Sequence, residues 1–323
     1  MRVGISERFG APGHDLTHIA RIAAAVEARG FDSFWAPEHL VVLGAAKAGF
    51  SEESNTIELS DAPSFPDPFQ TLTAVAAATT RLLLGTAVLL APLHHPLAIA
   101  RAGATLDVLS GGRFLLGAGV GWQPQEYAAL NVQWEGRGAR ASEHLEAVRT
   151  LWTERPASYS GPNISFAGVL AEPRPLSRPH PPILVGGNSK AALRRAASVG
   201  DGWFGWGLDP DGLECASGYL REFRAAGGRE EHSFTIQLGT RFDGDGEQLA
   251  RFAERARSLG LDRLVVSCAP DRPIGERELD AIALACGPLG GFDRAPDAAA
   301  NPSPERPVAS PTSPRSSDRD GGA

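Results

Sequence analysis

Three stretches carry residues whose types and spacing suit chemistry rather than packing. Glu38 and His39 follow the aromatic pair Phe34-Trp35, where a strand would end. A histidine there can donate a hydrogen bond or a proton to a reacting group near neutral pH, or can be a hydrogen-bonded structural residue. Gly186-Gly187-Asn188-Ser189 comes straight off the apolar run Ile183-Leu184-Val185 and opens a helical pattern. Two glycines let the backbone turn sharply and approach a ligand, while the first N–H groups of the following helix stay unpaired. That makes an anion site, with phosphate as the usual occupant. A plain glycine turn capped by Asn188 or Ser189 is the alternative. Gly117-Ala118-Gly119-Val120-Gly121 ends another apolar run with almost no side-chain bulk. A flat ring can lie against such backbone, or the glycines serve tight strand–helix packing. His94 and His95 precede Pro96 and read as loop residues. No HExxH, paired-cysteine or clustered Asp/His spacing suggests a metal. Neither a GxSxG elbow nor a P-loop lysine supports hydrolysis or phosphoryl transfer.

The elements that must position these residues alternate between two periodicities. The run Leu82 to Leu90 has the length and composition of a strand buried on both faces. Pro96 opens a helix with Ile99, Ala102, Leu106 and Leu109 at helical spacing, Gly111-Gly112 stops it, and Phe114 to Gly119 is a second buried strand. Strand, helix and strand with short joints make a right-handed crossover between parallel strands. The unit recurs along the chain. Strands are expected at Arg2–Ser6, Ser33–Ala36, 183–186, near Trp203, at Phe234–Gly239 and Leu264–Ser267. Helices are expected from Asp15 to Gly30, from Asp67-Pro68 to Thr80, and over 141–153, 190–200, 211–226, 247–259 and 276–286. Residues 44–66 are too long and irregular for an ordinary joint and make a candidate active-site loop; 156–182 is rich in proline and glycine and reads as loop. Eight strands alternating with helices predict an α/β fold, a (β/α)8 TIM barrel with loop insertions at its C-terminal face, over residues 1–287. An open doubly wound sheet is the alternative, but no GxGxxG turn follows the first strand.

Bulk properties narrow the function classes. The 323 residues carry a net charge of −7 with both signs interspersed, so no nucleic-acid surface is expected. No apolar run reaches the roughly 18 residues of a membrane span, and the N-terminus lacks a signal-peptide layout. The three cysteines, Cys215, Cys268 and Cys286, are an odd count at wide spacing and read as reduced thiols. A cytoplasmic protein with no membrane partner is expected. Residues 288–323 are Pro, Ser, Ala and Arg with almost no large apolar side chain, and are expected to form a disordered tail.

Taken together, GFDSFWAPEHL, RLLLGTAVLLAPLHHPLAIARAGATLDVLSGGRFLLGAGVGWQPQEYAALNV, RGARASEHLEAVRTLW, EPRPLSRPHPPILVGGNSKAALRRAASVGDGWFGWG and GLDRLVV resemble, in order, the luciferase-like oxidoreductases. Within that family the chain is most similar to the F420-dependent branch. The resemblance implies a TIM barrel holding F420, or alternatively FMN, at its strand ends, with Gly186, Gly187, Asn188 and Ser189 near the phosphate. It implies a cis peptide at Ala87-Val88 bulging against the ring, and cofactor contacts at Glu38, Ala87, Val88, Gly119, Gly121 and Trp122. His39 matches the active-site histidine of the deazaflavin-using sugar-phosphate dehydrogenases. Their catalytic glutamate is replaced by Trp122 and their tryptophan after the histidine by Leu43, so a sugar-phosphate substrate is not implied. Trp122 suits an apolar substrate, and Glu126 is the nearest replacement acid. The expected function is hydride transfer between F420 and an organic, apolar small molecule. A reduced-FMN monooxygenase using oxygen, and a non-catalytic cofactor-binding barrel, are the alternatives. Expected partners are the small-molecule substrate, a flavin or F420 reductase as electron source, and a second copy in a homodimer.

Overall fold

The computed structural model describes residues 1–7, 16–41, 65–268 and 274–287, with the backbone alone of residues 47–48 and 55–56. Eight parallel strands close into a barrel: β1 (Arg2–Ser6), β2 (Ser33–Ala36), β3 (Leu83–Thr86), β4 (Phe114–Gly119), β5 (Ile183–Gly186), β6 (Gly202–Trp206), β7 (Thr235–Phe242) and β8 (Arg263–Cys268). Each strand pairs with the next, and β8 closes on β1 through Arg2↔Arg263 to Ile5↔Val266. This is the predicted TIM barrel. The doubly wound alternative fails because an open sheet leaves two edges and this one has none.

Outside the barrel lie α1 (Ile19–Ala28), α2 (Pro68–Ala78), α3 (Pro96–Ser110), α4 (Pro124–Ala129), α5 (Arg137–Thr153), α6 (Lys190–Val199), α7 (Pro210–Ala226), α8 (Gly246–Ser258) and α9 (Glu276–Cys286). Outward side chains such as Ile5, Phe34, Leu84, Leu116, Val185, Leu238 and Leu264 pack beneath these helices in one large core. Starts follow local chemistry: Asp67 accepts from the Gln70 N–H at 2.9 Å with Pro68 in the first turn, and Asp209 and Asp245 cap α7 and α8 likewise.

Three expectations change. The run Leu82 to Leu90 is not one strand: β3 ends at Thr86, the Ala87-Val88 peptide is cis as the resemblance implied, and Leu89–Leu90 pairs separately with Ala118 and Gly119 of β4. Leu109 is 61% exposed, because α3 turns its small side instead to the core. A Cβ on Gly103 would stand 2.9 Å from Trp152 and 3.0 Å from Phe114, and buried Asp107 accepts from the N–H and hydroxyl of Ser177, both at 2.8 Å. The supposed loop 156–182 contains an antiparallel hairpin, Ala157–Ser160 with Ser165–Val169. Its hub is Glu143 on α5, whose carboxylate accepts from the Asn163 and Ile164 N–H groups. The first helix opens as a 3-10 turn, Leu16–His18, that runs into α1 at Ile19; Asp15, its expected cap, lies outside the described residues. Also outside them are most of the 44–66 loop and the expected tail 288–323. No described helix is long and apolar enough to cross a membrane.

Candidate active site

Strand parity sorts the barrel interior into layers. Trp35, Leu115, Leu184, Phe204 and Val265 meet on the axis as a second, internal cluster, with Ala87, Val88 and Trp206 packed on it. These last three stand at the C-terminal ends of their strands, the end at which TIM barrels carry their chemistry.

Val88 explains the glycines around it. A Cβ at Gly119 would lie 2.5 Å from a Val88 methyl, at Gly186 3.0 Å and at Gly117 3.5 Å. Gly117 is also closed to a side chain by the Thr86 carbonyl at 1.9 Å, and the Thr86 hydroxyl donates to the Gly117 carbonyl at 2.6 Å. The stretch Gly117 to Gly119 therefore offers little bare backbone; its glycines admit the isopropyl group of Val88, which forms the raised floor of the mouth. Gly121, with φ +67°, makes the turn out of β4 towards Trp122 and lies against Leu90.

On the rim, His39 and Glu126 come together across 87 residues. Glu126, in the first turn of α4, is fully buried. One carboxylate oxygen accepts the Leu40 N–H at 2.6 Å and that of Val41 at 3.4 Å; the other lies 3.2 Å from His39 Nδ1. A carboxylate only accepts, so the contact places the ring hydrogen on Nδ1 and leaves Nε2 without a partner among the described residues. The ring is held edge-on between Phe65 (4.8 Å) and Trp122 (5.6 Å).

Glu38 faces the other way. Its carboxylate accepts the Leu90 N–H at 2.6 Å and stands 2.9 and 3.1 Å from His94 Nε2. Both oxygens thus anchor the segment that follows Val88. Burial works against a charged His94, but the Glu38 hydrogen bond and charge, with Asp67 and Glu126 beyond, outweigh it and hold the imidazole above the ordinary histidine value. His94 read as a loop residue because its partner is 56 residues away. His95 is the cap of α3, accepting from the Leu97 N–H at 3.2 Å. Glu7 follows the end of β1, one of the strand ends at which a TIM barrel carries its chemistry. Burial pushes its carboxyl up to about 8, against the hydrogen bond from the Ile274 N–H.

Gly186 to Ser189 forms the turn from β5 into α6. Gly187 has φ +114°, and its carbonyl accepts from the Trp203 indole at 2.8 Å. Asn188 is committed to the end of β6, donating to the Trp206 carbonyl at 2.7 Å and accepting its N–H at 3.1 Å. Ser189 caps α6 by accepting from the Ala192 N–H at 3.2 Å. The backbone N–H groups of Asn188, Ser189, Lys190 and Ala191 have no partner among the described residues. Four free amides at a helix N-terminus, beside the Ser189 hydroxyl, fit a phosphate group. A phosphate-bearing flavin or deazaflavin would be held there by backbone, with Asn188 shaping the turn. Among the described residues no His/Cys/Asp/Glu cluster could hold a metal.

A closed parallel barrel, a bulge at the third strand and an amide-rich turn after the fifth define the class as a TIM barrel of the luciferase-like type. A family model described as luciferase-like monooxygenase matches residues 1–242, and the chain belongs to that family. It is 33% identical over 273 residues to an uncharacterized protein of Mycobacterium tuberculosis, covering 83% of this chain and 94% of that one. It is 31% identical over 233 residues to an FMNH(2)-dependent dimethylsulfone monooxygenase of Pseudomonas putida, covering 70% of this chain and 61% of that protein. A coenzyme F420-dependent tetrahydromethanopterin reductase from Methanopyrus kandleri shares the fold with a TM-score of 0.68 at 17% identity, covering 87% and 97% of the two chains. Proteins similar to this one thus include both F420- and FMNH(2)-dependent enzymes.

Proposed function

We propose that the protein is an F420-dependent oxidoreductase that passes a hydride between the deazaflavin and an organic substrate lying against Trp122. The observation that carries this reading is the His39–Glu126 contact at 3.2 Å, which leaves Nε2 as the group able to exchange a proton in the mouth. When bound, the cofactor supplies the carbon that gives or takes the hydride. A carbonyl that gains a hydride needs a proton at oxygen, and an alcohol that loses one must release it. The protonated imidazole donates at Nε2 and the neutral ring accepts there. Glu126 acts through His39 by fixing its tautomer and orientation, so it is a positioning residue. Phe65 and Trp122 flank the ring and would limit water around it, and the amides of residues 188–191 would hold the cofactor's phosphate. The reduced cofactor would come from a separate reductase, and a homodimer remains part of the proposal.

The 31% identity to the dimethylsulfone enzyme supports a second reading, a monooxygenase using reduced FMN and oxygen. Paired fluorescence titrations with oxidised F420 and with FMN separate the two. Tight F420 binding with weak FMN binding is expected; the reverse preference would replace the hydride-transfer reading by the monooxygenase. If neither bound below about millimolar, both readings would fall with the phosphate site at Gly186–Ser189.

A further inference from the structure

We infer that Arg241 and Ser267 form a subsite for an oxyanion carried by the organic substrate: a carboxylate, a sulfonate or a phosphate ester. The inference rests on the mouth being the reaction site, as proposed above. Arg241 and Ser267 are register partners at the C-terminal ends of β7 and β8. Both lie on the inward-facing rows. Two residues before Arg241, a Cβ on Gly239 would strike the Trp206 ring at 2.1 Å; two residues before Ser267, Val265 packs in the internal cluster. Parity therefore puts both one layer above that cluster, at the level of the mouth.

Neither side chain is explained by the fold. Arg241 is exposed and makes no ion pair, hydrogen bond or ring contact among the described residues. The nearby acids are occupied: Asp245 caps α8 by accepting from Gln248 at 3.0 Å, and Asp243 accepts the Asp245 N–H at 3.0 Å. Ser267 is fully buried, and its hydroxyl has no hydrogen-bond partner among the described residues. Leaving such a group unsatisfied costs stability, and Ser267 Oγ differs from unpaired atoms such as Ser217 Oγ on α7 in standing at the mouth, where a ligand can complete the set. A guanidinium and a hydroxyl rising from neighbouring strand ends match a planar or tetrahedral oxyanion.

Position in the barrel assigns that anion to the substrate. In an eight-stranded ring β7 stands opposite β3, whose continuation carries Val88, while the amides proposed for the cofactor phosphate follow β5. Glu38 and Glu126 occupy the β2–β4 side and would turn a negative group away from it. A substrate with an apolar body against Trp122 and an anionic end towards Arg241 spans the two halves.

The test is calorimetric titration of the full chain with benzoate and with its neutral analogue benzamide, repeated on Arg241→Gln and Ser267→Ala, with F420 and FMN titrations of all three proteins. Arg241 is exposed and unpartnered, so R241Q should melt with the wild type. The wild type is expected to prefer benzoate by roughly 10–100-fold, R241Q to lose that preference, and S267A to weaken benzoate by about 2–10-fold. Cofactor affinities should stay within about twofold, since no cofactor contact is assigned to either residue. Equal affinities for the two probes in the wild type would overturn the subsite. So would a loss of F420 or FMN affinity in R241Q, which would give the guanidinium to the cofactor's phosphate. If neither cofactor bound the wild type while the benzoate preference persisted, the redox proposal would fall and the subsite would stand.

Discussion

The two ends of the barrel use buried charge in opposite ways. At the N-terminal end, Asp32 and Arg263 pair at 2.7 Å with both side chains almost fully buried. Asp32 also accepts from the Ser33 hydroxyl at 2.6 Å, Ser33 accepts from the Trp35 indole at 2.9 Å, and Gly4 leaves the room this chain needs. Around this plug, Glu27 accepts the Thr80, Arg81 and Leu82 N–H groups, Asp201 that of Ile183 and Asp262 that of Ile236, so carboxylates pin the starts of β3, β5 and β7. At the C-terminal end the carboxylates bind histidines and loop amides instead. There Nε2 of His39, the Ser267 hydroxyl and the amides after β5 keep unused capacity. The closed end spends most of its polar groups on stability, with the Oε1 of buried Gln237 an exception among the described residues, and the mouth keeps more in reserve for a ligand.

Three substitutions test that contrast. The largest effect is expected from His39→Ala, which should lower turnover by roughly 10²–10⁴ with cofactor affinity largely intact, read from steady-state rates beside F420 titrations. Unchanged turnover would remove His39 from the mechanism. Next, Asp32→Ala strands a buried guanidinium and should cost about 3–5 kcal/mol in urea unfolding, while cofactor affinity of the folded fraction is kept. A loss below about 1 kcal/mol would mean that the closed end is not held by this pair.

The third effect is a pH dependence set by Glu7. Its folded-state value of about 8 lies above the ordinary 4.5, so between these values the folded chain holds a proton that the unfolded chain has released. Stability from this group is therefore complete at low pH and lost as pH rises through about 8. Glu7→Gln should flatten the decline of the melting temperature between pH 5 and 9; an equal slope in both proteins would show that burial does not hold this carboxyl neutral.

Much of the fold was legible because it is local. Ser33–Ala36, Phe114–Gly119 and Glu276–Cys286 form where apolar period and turn residues place them. The split of Leu82–Leu90 was not, since a continuous apolar run carries no mark of the point where Val88 turns inward among three glycines of β4 and β5. Leu109 was misplaced for a similar reason: spacing shows that α3 has an apolar face, but Gly103 and Asp107 decide which side seats. Within the site, the glycine turn at Gly186 and the position of His39 at a strand end were readable. The pairings of His39 with Glu126 and of His94 with Glu38 span 87 and 56 residues and leave no local trace.

Backbone preference and hydrophobic period act between near neighbours, and they suffice for the alternation of strands and helices, the barrel it builds and the strand ends at which chemistry gathers. Which carboxylate holds which histidine, which glycines make room for Val88 and which polar groups are left unpaired are settled only when the barrel closes. Those outcomes follow from barrel closure, which sets residues far apart in the chain side by side and removes water from between them.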